Sequence, residues 1–113
     1  MRISKYGNRK ITAPGGEKFD SMKEYNRWGQ LKLLQRAGKI SGLERQVKFL
    51  LLPVQRDEQG KLLEHARSYV ADFVYTDDKG NRIVEDCKGC KTDVYKLKKA
   101  MMLYFHRIRI KET

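Results

Sequence analysis

The sequence predicts an α/β domain in which helices flank a central mixed sheet. Three observations carry this prediction: an apolar stripe at helical spacing after Ser21, three strand-like runs separated by short turns, and a second helical stripe after Thr92. The predicted order along the chain is helix, three-stranded meander, helix, strand. With 113 residues, the chain has room for one compact domain.

The first helix is predicted to begin at Ser21 and to end at Gly38. Ser21 and Glu24 form a capping-box pattern, and glycine suits the left-handed position just past a helix end. Trp28 and Leu31 give the helix its apolar stripe, and Glu24 lies at the head of that stripe. The Glu24 carboxylate can therefore either complete the cap or point at the sheet, and the sequence leaves both roles open.

Three strands are expected over residues 43–54, 62–77 and 82–88, the second most clearly over 68–76. The turns between them are short, which predicts antiparallel pairing. If the second turn is a three-residue loop with Gly80 in the left-handed position, Asp72 lies opposite Asp86. A four-residue loop would instead set Asp72 opposite Cys87.

A charged constellation accompanies this register. Asp72 lies mid-strand, and Asp86 and Lys88 share one side of the next strand because strand side chains alternate. Two facing carboxylates repel unless a divalent cation lies between them, and such oxygen ligands suit magnesium or manganese. Lys88 can orient or activate a water and stabilise charge on a phosphate. The alternative is an Asp86–Lys88 salt bridge on an exposed face of the sheet.

The second helix is expected over residues 92–104, followed by a short last strand over 108–111. Lys96 and Lys99 fall off the apolar stripe of this helix. The stripe consists of Leu97, Ala100, Met101 and Tyr104.

The formal net charge of +11 favours a polyanionic partner, most often nucleic acid. We therefore expect residues 1–18 to form an irregular basic arm before a single domain over 19–113. Whether the arm is mobile or lies along a phosphate backbone stays open. Candidate DNA contacts are Arg9 and Lys10 in the arm and Lys91, Lys98 and Lys99 after the triplet. A solvated helix face is the alternative for those three lysines.

Several classes of protein are not indicated. No run of eighteen apolar residues predicts a membrane span, and the basic N-terminus does not look like a secretory signal. Cys87 and Cys90 form a lone Cys-x-x-Cys, and His65 and His106 are not at zinc-finger spacing from it. We therefore expect no zinc, reduced cysteines and a cytoplasmic location.

The acid on one strand and the Asp86-Cys87-Lys88 triplet on the next resemble the PD-(D/E)xK nuclease superfamily. Its restriction-endonuclease-like core has the order helix, three strands, helix, strand, as expected here over about residues 20–111. The proline of the name is absent, because Ala71 precedes Asp72. Many members add a glutamate on the first helix, and Glu24 matches it.

A closer resemblance, to a phage-associated endonuclease family related to phage Holliday-junction resolvases, covers almost the whole chain. The matching segments are Lys5-Tyr6-Gly7-Asn8, Phe19-Asp20-Ser21-x-x-Glu24, Leu43-Glu44-Arg45-Gln46, Ala71-Asp72-Phe73 and Glu85-Asp86-x-Lys88-Gly89. This resemblance implies a helper of phage DNA recombination or packaging, acting in the host cytoplasm on branched or Holliday-junction DNA. A homodimer is expected, because a resolvase must cut two strands.

The combined expectation is a magnesium- or manganese-dependent endodeoxyribonuclease. Glu24, Asp72 and Asp86 are expected to hold one or two metal ions, and Lys88 to assist the attacking water. Gln46, on the first strand, either helps to hold metal or water or is an ordinary polar strand residue. The alternatives to this activity are a non-catalytic basic DNA-binding module and a nicking or restriction-type nuclease of the same fold.

Overall fold

The computed structural model describes residues 10–87 and 91–113. Two helices are present in these ranges, α1 (Met22–Arg36) and α2 (Asp93–His106). The strands are β1 (Ile11–Thr12), β2 (Lys18–Phe19), β3 (Ile40–Leu52), β4 (Gln55–Arg56), β5 (Leu62–Glu64), β6 (Arg67–Asp77), β7 (Arg82–Asp86) and β8 (Lys111–Glu112). None of the described helices is long and apolar enough to cross a membrane.

The central sheet has four strands in the order β3-β6-β7-β8. The first three pair antiparallel, and β8 pairs parallel to β7. The strands β1 and β2 form a small hairpin, as do β4 and β5. The α/β class and the mixed sheet predicted from the sequence are therefore confirmed.

The two helices cover opposite faces of the sheet. On the α1 face, Leu31 packs with Phe73 and Tyr75 from β6. On the α2 face, Tyr95 and Met102 pack against the other side of the sheet. The α2-face core also contains Phe49, Leu51, Tyr69, Ala71, Val74, Val84 and Ile110.

Helix α1 begins and ends where its capping signals predict. The Ser21 hydroxyl accepts a hydrogen bond of 3.1 Å from the backbone N–H of Glu24, which satisfies one of the free donors of the first turn. Past the last turn, Gly38 takes the left-handed conformation with φ +77°. Leu31 is fully buried and Trp28 is half-buried beside it, whereas Leu33 faces solvent.

Helix α2 turns Leu97, Ala100 and Tyr104 of its predicted apolar stripe away from the sheet, whereas Met101 packs against the α2-face core. Its buried residues are Tyr95 and Met102, while Leu97 and Tyr104 are exposed. Each exposed residue follows a buried one by two positions, or 200° around a helix. The helix is apolar on two sides, and helical spacing alone did not identify the inner one.

Several predicted boundaries needed correction. Residues 11–18 of the expected irregular arm form the β1–β2 hairpin together with Phe19, and a hydrogen bond of 2.9 Å from the Gly16 N–H to the Ala13 carbonyl closes its turn. The last strand is Lys111–Glu112 rather than residues 108–111. The first long strand begins at Ile40 rather than at residue 43, and the second is interrupted between Glu64 and Arg67. Residues 1–9, with Arg9, and residues 88–90, with Lys88, lie outside the described residues.

The hairpin between β6 and β7 has the three-residue loop that the sequence favours. The Asp77 N–H donates to the Asn81 carbonyl at 2.8 Å, so these two residues pair across the loop. Gly80 lies in the left-handed region with φ +84°. This loop sets the register of β7 on β6, which the functional site depends on.

We expect Gly80→Ala to lower the free energy of unfolding by about 1 kcal/mol, because an alanine is strained in the left-handed region. A Cβ at Gly80 would meet no atom within 4 Å, so backbone strain alone accounts for the cost. Gly29, inside α1, is the matched control with the same open surroundings. Gly29→Ala should raise stability by up to about 1 kcal/mol. Urea unfolding measures both, and a shift of the same sign in the two variants would contradict this account.

Candidate functional site

In β3 and β6, the alternation of side chains between the two faces of the sheet is interrupted at one position along each strand. On β6, Ala71 belongs to the α2-face core and Phe73 to the α1-face core, so the alternation of side chains slips at Asp72. The register leaves Gln46 of β3 opposite Asp72. Gln46 has φ +54°, which is uncommon for a residue other than glycine. Strained backbone of this kind clusters at functional sites.

The Gln46 amide connects two carboxylates. Its Nε2 donates to Glu24 Oε1 at 3.2 Å and makes a longer contact of 3.5 Å with Asp72 Oδ1. Three of the residues singled out in the sequence therefore meet, although they come from α1, β3 and β6. Gln46 thus contacts two of the predicted site residues, and its role at a metal site stays a prediction.

Glu24 is turned toward the sheet and is almost fully buried. Its Oε1 also accepts from the Arg45 guanidinium at 3.3 Å. Arg45 donates as well to the Lys18 carbonyl at 2.7 Å and lies 4.0 Å from the centre of the Phe19 ring. Burial raises the Glu24 pKa, and repulsion from Asp20 adds to this rise, which Arg45 offsets only in part.

Asp72 and Asp86 lie across from each other on neighbouring strands. The last registered pair is Phe73 with Glu85, and one further residue sets Asp72 opposite Asp86. In agreement, Asp72 Oδ2 accepts a hydrogen bond of 2.8 Å from the backbone N–H of Cys87. The register inferred from the loop is thus confirmed as far as Phe73 and Glu85.

Asp86 is buried on the α2 face of β7 and accepts a hydrogen bond from the Tyr69 hydroxyl. Burial raises the Tyr69 pKa, and the hydrogen bond to Asp86 raises it further. Tyr69 therefore stays a neutral donor at physiological pH and fixes the orientation of the Asp86 carboxylate. Tyr69 could not be singled out from the sequence, since an aromatic residue in a strand is typical of the core.

Glu85 points to the opposite face, as strand alternation predicts. It accepts hydrogen bonds from Arg27 of α1, from the Tyr75 hydroxyl and from Thr113. Burial alone would raise the Glu85 pKa, but Arg27 and Tyr75 outweigh it and hold the pKa below its usual value. Burial and the bond to Glu85 raise the pKa of Tyr75 to about 12. Glu85 joins α1 to the sheet and lies apart from the Asp86 carboxylate.

Glu112 is a charged neighbour that the sequence did not reveal. The parallel pairing of β8 sets it beside Asp86. Hydrogen bonds from the Tyr95 hydroxyl and then from Lys91 lower the Glu112 pKa to about 2. Its Oε1 lies 3.1 Å from Lys91 Nζ and 3.2 Å from Lys99 Nζ. Two of the three lysines expected to contact phosphate therefore share one carboxylate.

The other predicted contacts are more dispersed. Lys10 is exposed at the start of the described chain, and Lys98 is half-buried on α2. Arg9 lies outside the described residues, as do Lys88 and Cys90. The expected role of Lys88 beside Asp86 remains a prediction.

The family described as "Protein of unknown function (DUF1064)" matches residues 3–112. The chain belongs to this family. No curated protein and no solved structure matches it. The whole described site, from Glu24 to Glu112, lies within the part of the chain that matches DUF1064.

The donor chemistry of this DUF1064 site fits a hard divalent cation better than zinc, because its converging groups carry oxygen. Glu24 and Asp72 are drawn together by one amide, and Glu24 is a buried acid whose negative charge a cation would stabilise. Within residues 10–87 and 91–113, however, no three His, Cys, Asp or Glu side chains lie close enough to form a metal site as they stand.

Proposed function

We propose that the chain is a metal-dependent endonuclease that hydrolyses DNA phosphodiester bonds on a core of the PD-(D/E)xK type. One observation carries the proposal: the Gln46 amide joins Glu24 to Asp72 where the strands change faces. Asp72 is in turn bonded to the backbone next to Asp86. Two acidic residues from separate elements thus meet beside a residue with positive φ, and bringing two carboxylates together is costly unless a cation or another partner balances them.

Glu24, Asp72 and Asp86 would hold magnesium or manganese through their carboxylate oxygens. A bound divalent metal polarises the phosphate and activates a water. Gln46 contributes by its symmetric shape, because a half-turn of its amide replaces the Nε2 donor by the Oε1 acceptor. Its Nε2 contacts both carboxylates here, and with a cation bound its Oε1 would be able to accept a hydrogen bond instead.

Lys88 would supply a positive charge next to the scissile phosphate, where it orients the attacking water and stabilises developing charge. Tyr69 keeps Asp86 in place through its hydroxyl. Arg45 donates to Glu24 and balances part of its charge. In this proposal these three residues orient the water, the phosphate or a carboxylate, and the carboxylates would coordinate the metal ion.

Branched or Holliday-junction DNA is the proposed substrate, in phage recombination or packaging within the host cytoplasm. The net charge of +11 supports a polyanionic partner, and the choice of branched DNA comes from the resemblance described above. Cutting two strands symmetrically requires two active sites, so a homodimer belongs to the proposal.

A non-catalytic DNA-binding module is the second candidate. It is favoured by the finding that no three potential ligands cluster among the residues that the structure describes. In that case Gln46 and Arg45 would be permanent partners of Glu24. A nicking or restriction-type nuclease would share the proposed site and differ only in the DNA that it cuts.

Cleavage of defined DNA substrates tests the proposal. Linear duplex, single strand and a four-way junction are incubated with wild type and with Lys88→Ala, each in magnesium, manganese or EDTA. We expect wild-type cleavage with either metal and none in EDTA, and a rate at least about a hundredfold lower for Lys88→Ala. Mobility shifts in EDTA should show that both proteins bind DNA. Full cleavage in EDTA, or unchanged turnover of Lys88→Ala, contradicts the mechanism, and binding without cleavage supports the module.

A further inference from the structure

The solvent-facing side of α2 carries several exposed apolar side chains, here called the outer stripe. It consists of Val94, Leu97, Ala100, Leu103 and Tyr104. Leu97 is 62% exposed and Tyr104 is 77% exposed. These residues repeat at the spacing of a buried helix face, yet the core of the same chain packs against the other side of the helix. The pattern therefore points to burial by a second molecule.

The outer stripe is large for a surface that stays in water. A whole aromatic side chain accounts for on the order of 150–250 Å², and by the same measure the exposed parts of the outer stripe reach roughly 600 Å². The largest apolar patch of a typical monomer is roughly 300–600 Å² and is often functional. Two copies joined through this stripe would bury at most roughly 1,200 Å² in total, the lower end of the range for specific interfaces.

A groove lies next to the outer stripe, so this side of the molecule is not flat. It has a volume of about 310 Å³ and lies between α2 and the segment that leads into β8. Ala100 and Leu103 line it from the helix, and Ile108 and Ile110 line it from the segment. Three basic residues, Lys96, Lys99 and Arg109, complete the lining. A groove beside a ridge lets a second helix interlock with the first rather than rest on a flat surface.

We propose that the outer stripe is the homodimer interface, with the α2 helices of two copies packed antiparallel across a two-fold axis. The stripe is self-complementary in this arrangement. When the axis passes between Ala100 and Met101, Leu97 of each copy lies against Tyr104 of the other. The small side chain of Ala100 lies at the crossing point, where it allows the two helices to approach closely.

The charges at the ends of α2 suit the same arrangement. Asp93 lies in the first turn, and Arg107 follows the last. Antiparallel packing brings Asp93 of one copy near Arg107 of the other, and it also opposes the two helix dipoles favourably. The overall charge of +11 per copy works against association at low salt, and screening removes this repulsion at moderate salt.

The mass of the full-length protein in solution tests this interface, without reference to nuclease activity. Sedimentation equilibrium over roughly 1–100 µM, a range spanning ordinary dimer affinities, should give a dimer for wild type. Leu97→Asp should raise the dissociation constant at least about thirtyfold, as for an interface hot spot. Leu33→Asp is the matched control, because Leu33 is 63% exposed on α1. Circular dichroism checks that both variants fold.

Salt separates this proposal from the DNA-binding one. Dimerisation through an apolar stripe between cationic copies should strengthen between 50 and 200 mM salt, roughly the range over which DNA binding weakens steeply. A monomer at every concentration overturns the interface. So does a Leu97→Asp protein that is as dimeric as wild type, and so does a Leu33→Asp protein that dissociates equally. A dimer that cuts no DNA would keep this interface while rejecting the nuclease.

Discussion

Asp72→Asn is expected to slow DNA cleavage by at least about a thousandfold and to leave the fold intact. Removing a carboxylate that helps hold the metal costs several kcal/mol of transition-state stabilisation, and each 1.36 kcal/mol is about tenfold in rate. The asparagine Oδ1 can still accept the hydrogen bond from the Cys87 N–H, which measures 2.8 Å in the wild type. Single-turnover cleavage at saturating magnesium measures the loss.

Asp78→Asn is the matched control for this variant. Asp78 is exposed in the loop that joins β6 to β7, six residues after Asp72. Its substitution removes one negative charge, as Asp72→Asn does. Its cleavage rate should stay within about twofold of the wild-type rate, as for a surface position without contacts. If Asp72→Asn retained the activity of Asp78→Asn, Asp72 would be no more than an anchor for the Cys87 backbone.

The relation between Asp72 and Asp86 was predictable because it depends on local chemistry. A three-residue loop needs a left-handed residue at a fixed place, and only Gly80 is suited to it. Once the loop length is known, counting along two regular strands gives the opposite residues. The Ser21 cap of α1 was predictable for the same reason, since a hydroxyl and a free N–H three residues apart define it.

The change of strand face at Gln46 was not predictable from the sequence. Strand reasoning assumes that side chains alternate without interruption, and no glycine or proline marks the position where the alternation slips. The place of Glu112 was equally hidden, because β8 pairs parallel with β7 after an intervening helix. Such non-local pairing leaves no local trace in the chain.

The two sides of α2 show a further limit of periodicity. Both Leu97 with Tyr104 and Tyr95 with Met102 are seven residues apart, so each pair marks a helical face. The structure buries the second pair, where the Tyr95 hydroxyl also reaches Glu112. Both faces are visible in the sequence as apolar residues at helical spacing. The spacing does not distinguish the face that packs in the core from the face assigned to the proposed interface.

Glu24→Gln separates the two roles that the sequence left open for this residue. Glutamine keeps an oxygen for the bonds from Arg45 and Gln46, both of which reach the same Oε1 in the wild type. It removes the charge that a metal ion needs. We therefore expect cleavage to fall by roughly a few hundredfold and the magnesium concentration for half-maximal rate to rise.

The thermal stability of the same variant should stay the same or rise, although its activity falls. The Glu24 pKa is raised above its usual 4.5 by burial, so the fold disfavours the ionised carboxylate. This cost is absent below pH 4.5, grows as the pH rises through the raised pKa, and is fully present above it. The metal-free Glu24→Gln protein should thus melt at the same or a higher temperature than wild type at neutral pH, and the difference should vanish toward pH 4.

Glu58→Gln, in the exposed turn between β4 and β5, is the control for both measurements and should change neither. Calorimetry of the metal-free proteins between pH 4 and 8, with cleavage over a magnesium series, gives the complete comparison. A purely structural Glu24 would lose stability on substitution and keep its activity at ordinary magnesium concentrations. Gain of stability together with loss of activity is the signature of a buried carboxylate that the fold retains for a metal ion, since Arg45 offsets only part of the cost of burying the charge.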